Sequence, residues 1–230
     1  MENASGQLSG KALILDFGGV VTRTLFETHA MTEQALGLTR GTLTWRGPFA
    51  PDTDPLWASM QRREISERDY WLARAREVGF LVGEDWTTMA EFVRRARGAD
   101  PDLVIRPEAR TAIAAAKAAG ARLAILSNEL DLFYGADFRE RLPLLADFDV
   151  IVDATHSGIL KPDPRAYADC LNALGVASGD AVFVDDQSKN VEGARAAGIP
   201  TIHFDVSEPG ASFAEALALL GVSSKEPVHA

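Results

Sequence analysis

The stretch that decides the fold is ALILDFGGV, residues 12–20. A short apolar run that ends at an aspartate and two glycines predicts a buried strand followed by a tight turn. The apolar run is too short for the centre of a secretory signal, and Asp16 follows it at once. The stretch therefore predicts the first strand of a sheet, with the Asp16 carboxylate at its carboxyl end.

Further along, the chain alternates short apolar runs with segments that favour helix. The predicted strands cover 122–126, 149–152, 181–184 and 201–204. The predicted helices cover 107–119, 164–174, 190–197 and 212–220. Strands that alternate with helices pair in parallel, so the pattern predicts an α/β fold with a doubly wound parallel sheet.

The segment between the first strand and the helix at 107 has a different pattern, with no convincing strand. It contains all the tryptophans of the chain, which are Trp45, Trp57, Trp71 and Trp86. Ser66 and Asp69 resemble a capping box that opens one helix. Asp85 is expected to cap a second helix that ends at Arg97. These features predict a small helical module.

This module divides the chain into two predicted domains. The core domain covers 1–23 and 107–230, and a helical cap domain covers 24–106. The tryptophans of the cap are interpreted first as the apolar core of the module. The alternative is an aromatic wall over a binding site, which would favour an apolar or ring-bearing substrate.

The composition limits the partners and the location of the protein. Of 230 residues, 47% are hydrophobic and 24% are charged, as in an ordinary globular protein. A net charge of -10 argues against nucleic acid as a partner, because a phosphate backbone attracts a basic surface. The single cysteine cannot form an internal disulfide, and no apolar run reaches the roughly 18 residues of a membrane span. These features predict a cytoplasmic protein that binds neither membranes nor nucleic acid.

Polar side chains follow three of the predicted strands, at the edge where ligands bind to open parallel sheets. Together with one lysine from a loop, they are Asp16, Ser127, Asn128, Lys161, Asp185, Asp186 and Asn190. Each alone has an ordinary explanation, the serine and the aspartates as caps or turn residues and the lysine as a solvated loop residue. Three carboxylates at one edge repel each other, however, unless a cation lies between them. Oxygen ligands suit a hard divalent ion, Mg²⁺ above all.

Taken in order, these motifs resemble those of the haloacid dehalogenase superfamily. Four segments carry the resemblance, namely Asp16-x-x-Gly19-Val20, Ser127-Asn128, Lys161-Pro162 and Asp185-Asp186-x-x-x-Asn190. The resemblance covers the chain from Leu13 to about Phe204. It implies a hydrolase of subfamily IA type, with a Rossmann-like core and a helical cap inserted after the first motif. The sequence is similar to the branch that contains glucose-1-phosphatase-like proteins and epoxide hydrolase N-terminal domains.

The resemblance implies a role for each catalytic motif. Asp16 is the nucleophile, and it forms an aspartyl-phosphate that water then hydrolyses. Ser127 binds the phosphoryl group, and Lys161 neutralises its charge and orients the nucleophile. Asn128 helps to position the phosphoryl group or the loop beneath it. The implied substrate is a small phosphorylated metabolite.

The same resemblance implies a magnesium site. The implied Mg²⁺ ligands are the Asp16 carboxylate, the main-chain carbonyl of Gly18, and Asp186. Asp185 is implied to support the ion directly or through water, and Asn190 to order the loop that carries both aspartates.

One position departs from the family pattern. Phosphatases of this superfamily usually carry a second aspartate two residues after the nucleophile, which protonates the leaving oxygen, and here that residue is Gly18. A missing acid/base costs about 10²- to 10⁴-fold in rate. Gly18 and its neighbour Gly19 are still expected to contact the substrate. Three compensations are open: a good leaving group such as an acyl or anomeric phosphate, a bound water, or a proton from the cap residues Glu27, His29 or Asp69. The first requires nothing beyond the sequence and is preferred.

Two other functions are open at this point. A 2-haloacid dehalogenase uses its aspartate to attack carbon and needs no metal, whereas the pair Asp185-Asp186 suits one. A catalytically weak or silent phosphate-binding module would explain Gly18, although it would not need all the other motif residues together. A phosphonate-cleaving enzyme is disfavoured, because the predicted cap contains no lysine for a Schiff base.

Overall fold

In the computed structural model, which describes residues 8–97, 101–135 and 137–222, strands and helices alternate through the second half of the chain. The strands are β1 Ala12–Leu15, β2 Arg122–Ser127, β3 Val150–Asp153, β4 Ala181–Asp185 and β5 Thr201–His203. The α-helices of the first half are α1 His29–Leu36, α2 Pro55–Gln61, α3 Glu67–Leu81 and α4 Met89–Arg97. Those of the second half are α5 Pro107–Ala118, α6 Leu130–Tyr134, α7 Phe138–Arg141, α8 Ala154–Ser157, α9 Pro164–Leu174, α10 Ser188–Ala196 and α11 Pro209–Leu220.

The strands form one parallel sheet in the order β3-β2-β1-β4-β5. β1 lies at the centre, where Leu13 is opposite Leu123 of β2 on one side and Val182 of β4 on the other. All residues of β1 are at most 1% exposed, which explains its continuous apolar sequence. The predicted α/β fold with a doubly wound parallel sheet is confirmed.

Helices cover both faces of this sheet. On one face, α9 and α10 pack on the strands through a buried cluster that includes Ile14, Tyr167, Cys170 and Phe183. On the other face, α5 and α11 contact each other and the strands beside them. Because both faces are covered, the ends of the strands are the natural place for polar groups.

The described residues fall into two compact units. The core unit takes its residues from Met1–Arg23, Ile105–Leu130 and Pro143–Ala230, and the helical unit from Thr24–Val104 and Asp131–Leu142. Thr22 and Ile105 form an antiparallel bridge inside the core unit, where the chain leaves it and returns. The predicted division places Asp131–Leu142 with the core domain, whereas these residues pack with the helical unit.

The helical unit has an aromatic centre. The ring centroids of its members lie 5.2–6.2 Å from that of Phe26, and they belong to Trp45, Trp57, Tyr70 and Trp71. The rings of Trp45 and Trp57 meet Phe26 edge to face, which adds to the stabilisation that burial alone gives. Trp45 and Trp86 are buried, and Trp86 stacks on Phe92, whereas Trp57 and Trp71 are half-buried. All four tryptophans thus pack on other rings of the unit, in agreement with the first interpretation.

A buried carboxylate links two helices of the helical unit. Asp54 is 1% exposed and precedes α2. It accepts hydrogen bonds from the Tyr70 hydroxyl at 2.8 Å and from the Arg74 guanidinium at 2.6 Å, and both residues lie on α3. The Trp57 main-chain N–H donates to the same carboxylate at 2.9 Å. Asp54 therefore caps α2 and holds it against α3.

Local hydrogen bonds set the start of two helices in this unit. The Ser66 hydroxyl accepts from the Asp69 N–H, and the Asp69 carboxylate accepts from the Ser66 N–H, so the predicted capping box of α3 is confirmed. The prediction that Asp85 caps the next helix is wrong, because α4 begins at Met89. There the Glu91 carboxylate accepts from the Thr88 N–H at 2.9 Å and the Thr88 hydroxyl from the Glu91 N–H at 3.3 Å. The second capping box, closer to the apolar residues of α4, sets its start.

The predicted elements of the core lie within about three residues of the observed ones. α5 and α9 begin at prolines, and α9 ends before Gly175, whose φ of +65° suits the residue after a helix. α11 begins earlier than predicted, at another proline, Pro209. Within the described parts of the chain, no helix is both long and apolar enough to cross a membrane.

Candidate active site

At the carboxyl end of the sheet, one buried lysine joins two carboxylates. The Lys161 Nζ atom lies 2.7 Å from Asp16 Oδ1 and 2.7 Å from Asp185 Oδ2. Asp16 follows β1, Asp185 ends β4, and these two strands are neighbours. The Lys161 side chain is 1% exposed and that of Asp185 is fully buried, whereas 14% of the Asp16 side chain is exposed. Of the three groups, Asp16 is thus the one that a ligand reaches most easily.

The two carboxylates keep Lys161 charged. Burial alone would lower the pKa of its ammonium group, but Asp16 and Asp185 raise that pKa above the ordinary value of a lysine. Because little solvent reaches the pair, screening of the charges is weak. Lys161 is therefore a fixed positive charge beside Asp16.

Two hydrogen bonds hold Lys161 against the end of β2. The Asn128 side-chain amide donates to the Lys161 carbonyl at 3.2 Å, and the Lys161 N–H donates to Asn128 Oδ1 at 2.7 Å. The Lys161-Pro162 peptide bond is cis. Gly193 of α10 lies against this loop, since a Cβ there would be 2.7 Å from Pro162 Cβ. Asn128 thus positions the lysine through its main chain.

Asp185 is surrounded by hydrogen-bond donors. The Asn190 amide lies 3.0 and 3.1 Å from its two oxygens, and the Gln187 N–H donates to it at 2.9 Å. The Tyr167 hydroxyl in turn donates to the Asn190 carbonyl at 2.8 Å. Lys161 donates to the Oδ2 atom of Asp185 and the Gln187 N–H to Oδ1, while the Asn190 amide contacts both. Because both oxygens already accept hydrogen bonds, direct coordination of a metal ion by Asp185 does not fit these contacts. Of the two roles implied for Asp185, the indirect one agrees with its surroundings.

The turn after β1 packs against Asp186. Gly19 has a φ of +88°, a conformation that favours glycine. A Cβ at this position would lie 2.6 Å from Asp186 Oδ2, so the Asp186 carboxylate packs directly against the turn. The buried Arg106 side chain donates from Nε to the Gly19 carbonyl at 3.0 Å. Glycine and arginine together therefore fix the turn that follows Asp16.

The oxygen atoms around this turn fit a hard divalent cation. Asp16 and Asp186 supply carboxylates and Gly18 supplies a main-chain carbonyl, which is a donor set that suits Mg²⁺. The ammonium of Lys161 is shared by two carboxylates, and Asp186 brings a third carboxylate to the same turn. The Arg106 guanidinium also contacts this turn, at the Gly19 carbonyl, so the fit to Mg²⁺ rests on the oxygen chemistry of the donors.

Ser127 lies at the same edge of the sheet. It is the last residue of β2, which pairs with β1, and it is 7% exposed. On the other side of the site, His203 ends β5, and its Nε2 atom lies 3.2 Å from the Asp186 carbonyl. The motif residues predicted from the sequence thus lie at or just after the carboxyl ends of β1, β2 and β4, or, for Lys161, in the loop before α9.

Three supporting residues are missed by the sequence analysis: Arg106, Tyr167 and Gly193. Arg106 and Tyr167 act by donating to main-chain carbonyls, and Gly193 by leaving room for a neighbouring loop. Such contacts join distant parts of the chain and leave no pattern in the sequence. Only Arg106 has a visible signal, because a charged residue stands between an apolar segment and the proline that opens a helix.

The three candidate proton donors of the helical unit all make local contacts. Glu27 accepts from the N–H and the hydroxyl of Thr24, both at 2.8 Å. Asp69 belongs to the capping box of α3. The His29 ring lies 4.2 Å from the Trp45 ring, and burial lowers the pKa of His29 to about 4. Each of them thus has a structural role inside its own unit.

Known proteins resemble this chain along most of its length. The sequence pattern described as haloacid dehalogenase-like hydrolase matches residues 11–198. The chain is 31% identical to acyl-CoA dehydrogenase family member 10 of Mus musculus, over 98% of this chain and 21% of the mouse protein. It is 32% identical to a phosphatase of Mycobacterium tuberculosis (strain CDC 1551 / Oshkosh), over 62% of each protein. The chain therefore spans less than two thirds of the length of these curated relatives.

A solved structure shows the same fold. The L-2-haloacid dehalogenase from Xanthobacter autotrophicus superposes with a TM-score of 0.55 at 22% identity, over 95% of this chain and 85% of that one. At this level of identity the likeness concerns the fold, and the chemistry has to be argued from the site.

Proposed function

Because the chain belongs to the family of haloacid dehalogenase-like hydrolases, we propose that it hydrolyses a small phosphorylated metabolite through an aspartyl-phosphate on Asp16. The observation that carries this proposal is the contact of Lys161 with both Asp16 and Asp185. It provides a nucleophile and a fixed cation for phosphoryl oxygens in one place. The phosphatase among the relatives supports the same choice.

Asp16 carries the covalent step. Lys161 holds its Oδ1 atom and so orients the carboxylate for attack on phosphorus. A bond forms between Asp16 and phosphorus, the bond to the leaving oxygen breaks, and the leaving group keeps the electron pair. Water then attacks the phosphorus of the aspartyl-phosphate and loses a proton to solvent, which frees inorganic phosphate and the Asp16 carboxylate.

The neighbours of Asp16 bind the phosphoryl group. The Ser127 hydroxyl, at the end of β2, donates a hydrogen bond to a phosphoryl oxygen. Asn128 acts mainly on Lys161, to which it is joined by two hydrogen bonds. Gly18 and Gly19 form the turn beside the nucleophile, where the absence of side chains allows a substrate to approach the main chain.

The metal ion belongs to this proposal. Asp16, the Gly18 carbonyl and Asp186 would hold Mg²⁺, and Asn190 and Asp185 would keep the loop of Asp186 in place. When bound, the ion neutralises charge on the phosphoryl oxygens and on the carboxylates. Asp185 is assigned a positioning role, since its oxygens already accept from Lys161, Asn190 and Gln187.

The helical unit is proposed to be the cap that selects the substrate. Trp57 and Trp71 of its aromatic centre are half-buried, and accessible parts of such rings would favour an apolar or ring-bearing substrate. A cytoplasmic location, as the composition predicts, agrees with a metabolite as substrate.

Hydrolysis of p-nitrophenyl phosphate tests the proposed function. The assay compares the wild type with D16N, in the presence of Mg²⁺ and of a chelator. An aryl leaving group departs without help from an acid, so Gly18 does not hide an intact nucleophile. We expect turnover that requires both Mg²⁺ and Asp16, and a phosphate bound to Asp16 in acid-quenched protein by mass spectrometry.

Two results would contradict the proposal. Chloride release from 2-chloropropionate in the presence of chelator, without phosphatase activity, would identify a dehalogenase. Binding of Mg²⁺ and phosphate, without turnover of any phosphate ester, would identify a binding module.

A further inference from the structure

Residue 18 leaves an open position beside the nucleophile. Gly18 is exposed, and its φ of -74° and ψ of 120° are values that any L-residue adopts. Apart from its chain neighbours, a Cβ on Gly18 would meet no heavy atom within 4 Å in the described part of the chain. Gly19 is the opposite case, because a Cβ there would collide with Asp186. The turn therefore requires glycine at position 19, whereas position 18 has room for a side chain and backbone angles that allow one.

The charged side chains already placed at this edge of the core unit have other tasks. Lys161 donates to Asp16 and Asp185, and Asp185 also accepts from the Asn190 amide. Asp16 must be ionised to attack phosphorus, and Asp186 packs against the turn as a carboxylate. The His203 ring at the end of β5 contacts the Asp186 carbonyl, with its Nε2 atom at 3.2 Å. Each of these groups therefore already has a partner, whereas a general acid must reach the leaving oxygen within hydrogen-bond distance.

From the open position at Gly18 and the engagement of its charged neighbours, we propose that the substrate is an acyl phosphate, a mixed anhydride of phosphoric and carboxylic acids. This inference rests on the proposed function. In the first step a bond forms between Asp16 and phosphorus, and the phosphorus–oxygen bond to the acyl group breaks. The electron pair stays on the departing carboxylate, which is stable as an anion and needs no proton.

The energetics of the first step favour the same class of substrate. The aspartyl-phosphate is itself an acyl phosphate, so transfer from another acyl phosphate exchanges two bonds of the same kind. Transfer from an alkyl phosphate would instead create a strongly basic alkoxide, because the conjugate alcohol has a pKa close to that of water, about 16. A general acid removes that obstacle, and it contributes about 10²- to 10⁴-fold in rate.

Three substrates that share one phenyl ring separate leaving-group chemistry from recognition. They are benzoyl phosphate, phenyl phosphate and benzyl phosphate, whose leaving groups have conjugate acids of pKa about 4, about 10 and about 16. The constant kcat/KM is measured with Mg²⁺ for the wild type, G18D and G18N. Asparagine is the matched control, because it fills the same space as aspartate without an acid. The ratio of G18D to G18N isolates the effect of the acid.

We expect the wild type to cleave benzoyl phosphate best and benzyl phosphate at least about 10³-fold less efficiently. We expect the ratio of G18D to G18N to be about 10²–10⁴ on benzyl phosphate and below about 10 on benzoyl phosphate. The open space and ordinary backbone angles at position 18 predict that both variants fold, which circular dichroism checks.

The inference and the proposed function fail in different ways. A wild-type kcat/KM that changes less than about tenfold across the three substrates would reveal a proton donor elsewhere and overturn the inference alone. Equal activities of G18D and G18N on benzyl phosphate would do the same. If none of the three substrates yields phosphate or a phosphorylated Asp16, the proposed phosphatase function is contradicted, and so is the inference that rests on it.

Discussion

The core unit and the helical unit are each organised around a buried carboxylate with a cationic partner, but for different purposes. In the core unit, Asp185 holds Lys161 next to the partly exposed Asp16. In the helical unit, Asp54 binds Arg74 and Tyr70, and its side chain is fully buried. The first arrangement holds a cation beside Asp16 at the carboxyl end of the sheet, whereas the second joins two helices. Exposure does not separate the two pairs, because 14% of the Asp16 side chain and 12% of the Arg74 side chain are exposed. The position at the end of parallel strands, where ligands bind, is what marks the first pair as a candidate site.

Removing the lysine from the core pair should have the largest effect. K161M leaves Asp185 as a buried carboxylate without its cation, so we expect a loss of about 3–5 kcal/mol in the free energy of unfolding and no phosphatase activity. Urea unfolding and the p-nitrophenyl phosphate assay measure both.

The double variant K161M/D185N separates the two losses. D185N removes the negative charge of Asp185, which K161M leaves buried without a cation. We expect the double variant to recover about half of the lost free energy of unfolding and none of the activity. If the double variant regained activity, Lys161 would act only on stability, and the contrast between the two units would disappear.

Breaking the pair in the helical unit should lower stability by a similar or smaller amount. D54A removes the partner of Arg74 and Tyr70 and the cap of α2, for which we expect a loss of about 3–4 kcal/mol. Y70F removes one hydrogen bond to a charged group and should cost about 1.5–3 kcal/mol. Hydrogen exchange should show the loss of protection in α2 and α3. Loss of protection in β1 and β4 instead would contradict two separate units.

Acid should weaken the helical unit through His29. Burial lowers the pKa of His29 to about 4 from 6.5, with Arg46 and Arg74 acting in the same direction and Glu33 against them. In the unfolded chain His29 takes up a proton below about pH 6.5, whereas in the folded chain it does so only below about pH 4. The free energy of unfolding therefore decreases as the pH drops from 6.5 to about 4. The loss is at most about 3 kcal/mol.

Urea unfolding at pH 7 and pH 4.5 measures this effect. H29Q, which cannot titrate, should show a smaller difference between the two pH values than the wild type. An unchanged difference would assign the pH dependence to other groups, such as Glu33, whose carboxylate is buried but accepts from the main-chain N–H groups of Gly41 and Leu43.

The two units also differ in how far the sequence predicts them. In the core, apolar runs mark the strands, and the residues after them, such as Asp16 and Asp185, converge because parallel strands end at one edge. Residues close together in the sequence are therefore enough to predict the doubly wound sheet. They are also enough to predict that the motif residues lie near each other at one edge of it.

The helical unit depends on contacts between distant residues. α1 and α2 carry no strong periodic pattern. α4 begins at Met89, after a capping box formed by Thr88 and Glu91, and not after Asp85. The segment Asp131–Leu142 joins the helical unit through packing that its sequence does not reveal. In the core, the same limitation applies to Arg106, which recognises a main-chain carbonyl.

The central place of β1 in the sheet has a consequence for synthesis on the ribosome. β1 emerges before the other strands, and its partners β2 and β4 follow only after the first segment of the helical unit has been made. Until then, an apolar strand with two unpaired edges is present in the nascent chain, which is the kind of segment that chaperones bind and that aggregates if released too early. A polypeptide interrupted before β4 would carry the nucleophile on a strand with one bare edge. Completion of the sheet therefore depends on β4 and β5, which are translated after the other three strands.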